Sequence, residues 1–367
     1  MTLAHAYIGL MSGTSLDGVD GVLVTLSPSG HPRLIARATA PIEPALRAEL
    51  LALNHPTDNE LDRAARASLA LVEIYAELVH ELLRLSGLAV HEVRAIGAHG
   101  QTIRHQPLAG YTLQLNAPAR LAELTGIGVV ADFRSRDIAA GGHGAPLVPA
   151  FHHAVFVADR PRVIVNLGGM ANVTLLMPDR PVLGFDTGPA NVLMDAWCHR
   201  HTGAAYDREG QWGAQGQVVP ALLNHLIRSE PWFAEVPPKS TGREQFNLAW
   251  LDARLEGYEA LAAHDVQTTL QALTALTVTG ALHAQGLKDE PLFVCGGGAF
   301  NTALREQFSR HWPGSVACTQ DLGIPPQDVE AMAFAWLAWA HLEKIAGNLP
   351  EVTGSKGTRL LGAYWPA

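Results

Sequence analysis

The stretch Tyr7-Ile8-Gly9-Leu10-Met11-Ser12-Gly13-Thr14-Ser15-Leu16-Asp17-Gly18-Val19-Asp20-Gly21-Val22-Leu23-Val24 constrains the fold more than any other part of the chain. One apolar run enters it, another leaves it, and glycines, hydroxyls and carboxylates lie between. Strand, small polar turn, strand predicts a β-hairpin. Glycines let a backbone approach a ligand closely, and successive turn N–H groups can then point at one anion. Thr14 and Ser15 add hydroxyl donors, whereas Asp17 and Asp20 repel a phosphate unless a cation stands between them. The pattern points to a nucleoside triphosphate with a divalent cation. An ordinary turn between strands has the same composition, so the pattern alone does not decide. Two neighbouring motifs are excluded. Asp17 stands where the G-x-S-x-G elbow of a serine hydrolase needs glycine, and the chain contains no Gly-Lys-Ser/Thr ending of a P-loop.

The 367 residues suffice for two domains or one large α/β unit, and a 48% hydrophobic content supports a substantial core. A net charge of -9 argues against nonspecific nucleic-acid binding. Cys198, Cys295 and Cys318 are odd in number and widely spaced, which suits a reducing compartment and no disulfide framework. The start lacks a basic region before an apolar signal core, and no apolar run reaches membrane-spanning length, so a cytoplasmic enzyme is expected. The histidines show neither HExxH nor a zinc-type spacing.

Further along, Ala36 to Ala40 reads as a strand ended by Pro41. Leu61, Ala65, Leu69, Val72, Ala76, Val79 and Leu83 recur at helical spacing up to Ser86-Gly87. Arg94 to Ala98 reads as a buried strand running into the polar cluster His99-Gly100-Gln101-Thr102-Ile103-Arg104-His105, whose mixed donors and acceptors suit sugar hydroxyls. Gly126-Ile127-Gly128 mimics a dinucleotide fingerprint, but its glycines precede the strand Val129-Val130-Ala131 instead of following one. Arg134 can grip a carboxylate bidentately; the alternative is a local ion pair of Arg134 or Arg136 with Asp132 or Asp137. The glycines of Ala140 to Pro146 form the best candidate for a hinge between domains.

Arg162 to Leu176 repeats the opening design, strand, Gly168-Gly169 turn, strand, with little identity to it. Leu183-Gly184-Phe185-Asp186-Thr187-Gly188-Pro189 places a carboxylate at an expected strand-to-helix turn, where it either caps the helix or acts as a general base. Lys239-Ser240-Thr241-Gly242 forms a polar loop without an assigned purpose, and Val266 to Gln285 a buried helix. Val294-Cys295-Gly296-Gly297-Gly298 carries a strand into glycines and then a helix, a junction that admits an adenosine or merely tight packing. Glu330 falls in the first turn of the last long helix.

The run Met11 to Asp20 closely resembles the opening signature of the anhydro-N-acetylmuramic acid kinases, relatives of actin, hexokinase and the heat-shock chaperone ATPases, and the His99-Gly100-Gln101-Thr102 segment matches too. The resemblance runs through most of the chain. It implies an α/β, two-domain, actin-like (ribonuclease H-like) fold with a central cleft, expected here as residues 1–135 with 345–367 and residues 136–344. It implies that Asp186 is the catalytic base. Gly13, Thr14, Ser15, Leu16, Asp17, Gly18, Val19 and Asp20, with Gly168, Gly169, Gly296, Gly297 and Gly298, would then hold ATP with Mg²⁺. Gln101, Arg134 and Glu330 would touch the sugar, and the metal-holding carboxylates stay unassigned. The implied reaction is ATP-dependent opening of 1,6-anhydro-N-acetylmuramic acid to N-acetylmuramic acid 6-phosphate, in cell-wall recycling. The expected partner is that small molecule, with no nucleic acid or membrane, and the expected assembly a homodimer. A kinase of the same fold acting on a free hydroxyl, or an actin-like ATPase switch, is the alternative.

Overall fold

The computed structural model of the chain describes residues 5–13, 16 and 18–367. In chain order its first elements are β1 (His5–Ser12), β2 (Gly18–Leu26), β3 (Pro32–Pro41), α1 (Pro44–Ala52), α2 (Glu60–Ser86), β4 (Val93–Ala98), β5 (Gln101–Gln106), β6 (Tyr111–Leu115), α3 (Pro118–Thr125), β7 (Val129–Ala131), α4 (Ser135–Ala139) and α5 (Val148–Phe156). Then follow β8 (Arg162–Leu167), β9 (Met170–Leu176), β10 (Leu183–Pro189), α6 (Asn191–Thr202), α7 (Pro220–Arg228), α8 (Leu248–Leu255), α9 (Ala263–Ala284), β11 (Leu292–Cys295), α10 (Thr302–His311), β12 (Val316–Cys318), α11 (Val329–Leu342), α12 (Pro350–Thr353) and β13 (Ala363–Trp365). The chain forms two compact units, Met1–Val155 with Asp328–Ala367, and Phe156–Gln327.

The first unit is built on a six-stranded sheet in the order β13-β7-β4-β1-β2-β3, with β5 and β6 as a separate pair. β1, β2 and β3 run antiparallel, and β4 lies parallel to β1 and β7 parallel to β4. The amphipathic α2 buries Ala67, Leu71, Val72, Tyr75, Ala76, Leu78, Val79, Leu82 and Leu83, and ends on the left-handed Gly87 (φ 71°), whose N–H reaches Leu83 O at 2.9 Å. Leu61 and Leu69, expected on that stripe, are exposed. In this first half the helix turns a different side inward, Ala67, Ser68 and Leu71, so the spacing is helical but the face drawn through Leu61 and Leu69 is not the buried one.

The alanine-rich α11 packs on β1, β2, β4 and β7. Gly9 and Gly97 are register partners on β1 and β4. A Cβ at Gly9 would run into the Ala331 carbonyl, and one at Gly97 into the Phe334 carbonyl. The two bare positions form the furrow in which the helix backbone lies. Gly97→Val is therefore expected to cost about 3 kcal/mol, since backbone cannot yield as a side chain tip does. Hydrogen exchange of the full chain checks this, with protection lost over β1, β4 and α11 and kept in the second unit.

The second unit is a five-stranded sheet in the order β10-β9-β8-β11-β12. β8, β9 and β10 run antiparallel, and β11 and β12 continue parallel to β8. This is the order and direction of β3-β2-β1-β4-β7 in the first unit, so the repeat of pattern is a repeat of topology. β1, β8 and β11 are nearly continuous apolar runs because they are covered on both faces. α9 is buried along most of its length, with Val266, Leu270, Leu273 and Val278 in the core.

The units differ from the expected boundaries. Residues 136–155 and 328–344 belong to the first unit, because α11 covers its sheet. The glycine run expected as a hinge is also bound inside that unit. Asp137 is fully buried, and its carboxylate accepts from Gly144 N (2.8 Å), Asn348 Nδ2 (2.6 Å) and Thr353 Oγ1 (2.8 Å). His143 N donates to Thr353 O (2.7 Å) and Lys356 N to Ala140 O (2.8 Å). Glycine there serves close packing, since a Cβ at Gly142 would strike the Asp137 carboxylate.

Candidate active site

The opening hairpin forms as the sequence predicts, paired from His5↔Leu26 to Ser12↔Val19. Of its turn, Thr14, Ser15 and Asp17 lie outside the described residues. Leu16 is left-handed (φ 58°), an arrangement that costs a leucine about 1–2 kcal/mol. Its side chain is buried, its N–H bonds Gly13 O (3.2 Å), and its carbonyl accepts from Arg47 Nε (3.2 Å), which together offset that strain. Ser12 Oγ ends the strand on Gly100 O and Tyr75 Oη, each at 3.1 Å.

Asp20, on β2, feels Asp328, the residue before α11. Asp328 is only 4% exposed, and its Oδ2 has no hydrogen-bond partner among the described residues. Burial raises its carboxyl to about 6; Arg37, 3.8 Å away, opposes the rise and Asp20 adds to it. Asp20 is raised likewise by burial, against Arg37.

A second constellation in the same unit surrounds Arg134, at the start of α4. Its Nε and Nη2 donate to His99 Nε2 (3.2 and 2.9 Å) and its Nη1 to Gly144 O (2.8 Å). Arginine only donates, so His99 Nε2 must accept, and burial and the guanidinium hold that imidazole neutral. The local ion pair with Asp132 or Asp137 does not form: no carboxylate lies within ion-pair distance of Arg134 among the described residues. Burial pulls the guanidinium down to about 10, and the charges of Glu330 and Asp137 hold it up. Glu330 sits in the first turn of α11. Gln101 is 2% exposed, and its Oε1 has no hydrogen-bond partner among the described residues. The rest of the polar cluster has turned to structural work. It lies on the strand β5, with Arg104 on Glu60 (2.7 Å), His105 on Thr112 (3.0 Å) and Thr102 on Gln114 (3.2 Å).

In the second unit the Gly168-Gly169 turn joins β8 to β9, and its carbonyls accept from Ala190, Asn191 and Val192 at the start of α6 (3.0, 3.0 and 3.1 Å). Gly296 (φ 79°) leaves β11, and a Cβ there would lie 2.6 Å from Asn166 Oδ1. One at Gly298 would lie 2.6 Å from Leu167 Cβ. The glycine run thus packs hard against the end of β8, and a short 3₁₀ turn, Gly297–Phe300, precedes α10. Cys295 is a buried small side chain.

Asp186 is not at a strand-to-helix turn. β10 continues to Pro189, with a register shift between Asp186 and Gly188, and α6 begins at Asn191. Its carboxylate therefore does not cap that helix. Instead Oδ2 accepts from Thr241 N at 2.9 Å, and the Asp186 N–H donates to Lys239 O at 3.2 Å. Burial drives the carboxyl up to about 7; the Thr241 amide opposes this, Glu244 adds to it and Lys239 opposes it. Asp186 is thus a half-buried carboxyl on a bulged strand, bonded through one oxygen and pushed up to about 7 by burial. The sequence reading passed over Thr241 and Lys239. Their Lys-Ser-Thr-Gly run was visible, but nothing local connects it to position 186. It likewise passed over Asp328, which reads as an ordinary residue before a helix.

Two units of one strand order, each opening on two antiparallel strands joined through glycine, make an actin-like α/β fold. The chain belongs to the anhydro-N-acetylmuramic acid kinase family, whose model matches residues 5–367. A protein named anhydro-N-acetylmuramic acid kinase from Bordetella parapertussis is 58% identical over 363 residues, 98% of this chain and 96% of the relative. Proteins of the same name from Bordetella petrii and Burkholderia orbicola are 57% identical over 368 residues (100% and 97%) and 54% identical over 370 residues (98% and 96%). Among solved structures, the activator of the 2-hydroxyisocaproyl-CoA dehydratase from Clostridium difficile with bound ADPNP is similar at 12% identity with a TM-score of 0.49. It covers 92% of this chain and 96% of that one, a likeness that adds nothing to the assignment. Among the described residues no helix is long and apolar enough to cross a membrane.

Proposed function

We propose that this chain uses ATP and water to convert 1,6-anhydro-N-acetylmuramic acid into N-acetylmuramic acid 6-phosphate, with Asp186 as the base. The observation that carries the mechanism is the Asp186 carboxyl, raised to about 7 and bonded through Oδ2 to one amide. In its ionised form it takes a proton from water, whose oxygen attacks C1 of the sugar. The bond from C1 to the bridging oxygen breaks, O6 keeps the electron pair, and O6 attacks the γ-phosphorus while ADP departs. Attack opposite the departing oxygen inverts the anomeric centre.

The buried Arg134 guanidinium, bonded so far only to neutral acceptors, suits the lactyl carboxylate of the sugar. Gln101 Oε1, without a hydrogen-bond partner among the described residues, suits a sugar hydroxyl or amide, and Glu330, whose charge Arg134 feels, suits a second. Arg134→Met is expected to raise KM for the anhydro-sugar roughly ten- to a hundred-fold, the value of a charge-assisted pair, with KM for ATP little changed. Steady-state kinetics with each substrate varied in turn checks this.

The ATP phosphates are assigned to the backbone of Gly13, Leu16, Gly18, Val19 and Asp20, with Thr14, Ser15 and Asp17, and to the turn at Gly168 and Gly169. Gly296, Gly297 and Gly298 are assigned to the adenosine. Mg²⁺ fits the chemistry of the first unit, where Asp20 raises the Asp328 carboxyl and Asp328 Oδ2, buried, has no hydrogen-bond partner among the described residues. Asp20 and Asp328 would hold it, and when bound it neutralises charge on the triphosphate. Assembly as a homodimer in the cytoplasm belongs to the same reading, and sedimentation velocity checks the assembly. The activity itself is tested by ADP release with purified anhydro-sugar. Turnover with that sugar, and none with reducing N-acetylmuramic acid, supports ring opening; the reverse preference replaces it with a free-hydroxyl kinase.

A further inference from the structure

The loop Pro237 to Gln245 has no part in the scheme above, yet it is the segment that touches Asp186. Lys239 lies within it and is only 7% exposed. Its Nζ donates to Phe233 O (3.0 Å) and Trp232 O (3.2 Å), carbonyls of a 3₁₀ turn at Pro231–Ala234, and lies 4.3 Å from the centroid of the Trp232 ring. An ammonium under two carbonyls and an aromatic face is held from three directions. Two residues on, the Thr241 N–H grips Asp186 Oδ2, and the Lys239 carbonyl takes the Asp186 N–H. The far side of the loop is tied down as well. Thr241 Oγ1 donates to Gln245 Oε1 (2.7 Å), and Gln245 Nε2 to Glu230 Oε1 (3.3 Å). Glu230 Oε2 accepts from Trp250 Nε1 (2.7 Å) and Arg254 Nη2 (3.2 Å).

We propose that Lys239 is a positioning residue for Asp186: its caged ammonium clips the Lys239–Thr241 backbone onto β10, aims the carboxylate through the Thr241 amide, and opposes the charge of Glu244. The inference rests on Asp186 being the base. The charged groups that face this carboxylate are Lys239 and Glu244, and Lys239 is itself faced by Asp186 and Glu235. A buried lysine placed only for packing would have no reason to keep its charge beside a carboxylate. Here burial lowers the lysine while both acids hold it up. The two effects are separable. The clip needs a donor to the Trp232 and Phe233 carbonyls, whereas the electrostatic effect needs a positive charge.

The test uses the full chain with Lys239→Met, Lys239→Gln and Lys239→Arg. Glutamine can still donate to the two carbonyls, so it keeps the loop in place if methionine does not. Two readouts are taken: the pH profile of kcat/KM, and the titration of the Asp186 carboxyl carbon by NMR, assigned through Asp186→Asn. The neutral variants are expected to move the acid limb and the carbon titration upward by about half a unit to one unit. The methionine variant should also lose roughly ten- to a hundred-fold in kcat/KM through misplacement of the base. Arginine should restore the titration. An unmoved carboxyl titration in a folded neutral variant overturns the proposal. If Asp186→Asn retains full turnover, the base assignment fails instead, and the NMR shift still reports whether Lys239 governs that carboxyl.

Discussion

Asp186→Asn is expected to lower kcat for the anhydro-sugar by about a thousand-fold, equivalent to about 4 kcal/mol of barrier. Asparagine keeps the size of the side chain and can still accept the Thr241 amide, so the strand and loop stay in place and the loss is chemical. The sign of the pH dependence follows from the raised carboxyl. In the proposed role the carboxylate acts ionised, and burial pushes its carboxyl up to about 7, so kcat/KM should climb as pH rises through 7 and level off above it. Below 7 each unit removes another factor of ten of the active form. In the asparagine variant that limb should vanish together with the rate. Asp186→Glu keeps the charge but extends the carboxylate past the Thr241 amide, so it should recover only part of the loss. Pre-steady-state kinetics from pH 5 to 9 checks the three proteins side by side. Full turnover by Asp186→Asn would return this carboxylate to a structural role.

Asp137→Ala is expected to destabilise the first unit by about 3–5 kcal/mol. The carboxylate is wholly enclosed, and removing it leaves the Gly144 N–H without an acceptor and takes one from both Asn348 and Thr353. Asp137→Asn would not rescue it, because an amide nitrogen must then face a donor. The damage should reach binding as well as stability. The Gly144 carbonyl is one of two acceptors that aim Arg134, so a loosened 140–146 segment should raise KM for the sugar. Because the chain has two units, a single unfolding free energy is ill defined. Hydrogen exchange is the better readout, with protection lost over residues 140–147 and 348–357 and kept in the β8–β12 sheet. Uniform loss over both units would contradict a local clip.

Much of the fold was legible because it is carried by local pattern. The hairpins at Ser12–Gly18 and Leu167–Met170, the buried α9 and the strand before Gly296 all announce themselves in adjacent residues. The duplicated topology is legible too, since each half opens on the same strand, glycine turn and strand. What escaped depends on contacts distant in sequence. Asp186 looks like a helix cap until the bulge in β10 and the Thr241 amide are seen. Asp328 looks like an ordinary flanking residue until Asp20 stands against it. The chain returns to the first unit at Asp328, not near residue 345, because the furrow between Gly9 and Gly97 receives α11. No periodicity records that a helix will lie in a groove made by two glycines so far apart in sequence as Gly9 and Gly97. The pairing of the polar run Thr102 to His105 escaped for a related reason. Its side chains alternate between Gln114 and Thr112 on one strand partner and Glu60 on a helix, and composition alone does not show such a pairing.

The most direct test is turnover of the anhydro-sugar with ATP in ¹⁸O-water, with the reducing end trapped by borohydride before it can exchange. Water activated by Asp186 places one heavy oxygen at C1 of the 6-phosphorylated sugar and none in its phosphate. Heavy oxygen found only in inorganic phosphate, or a sugar phosphate with unlabelled C1, would contradict attack of water at the anomeric carbon.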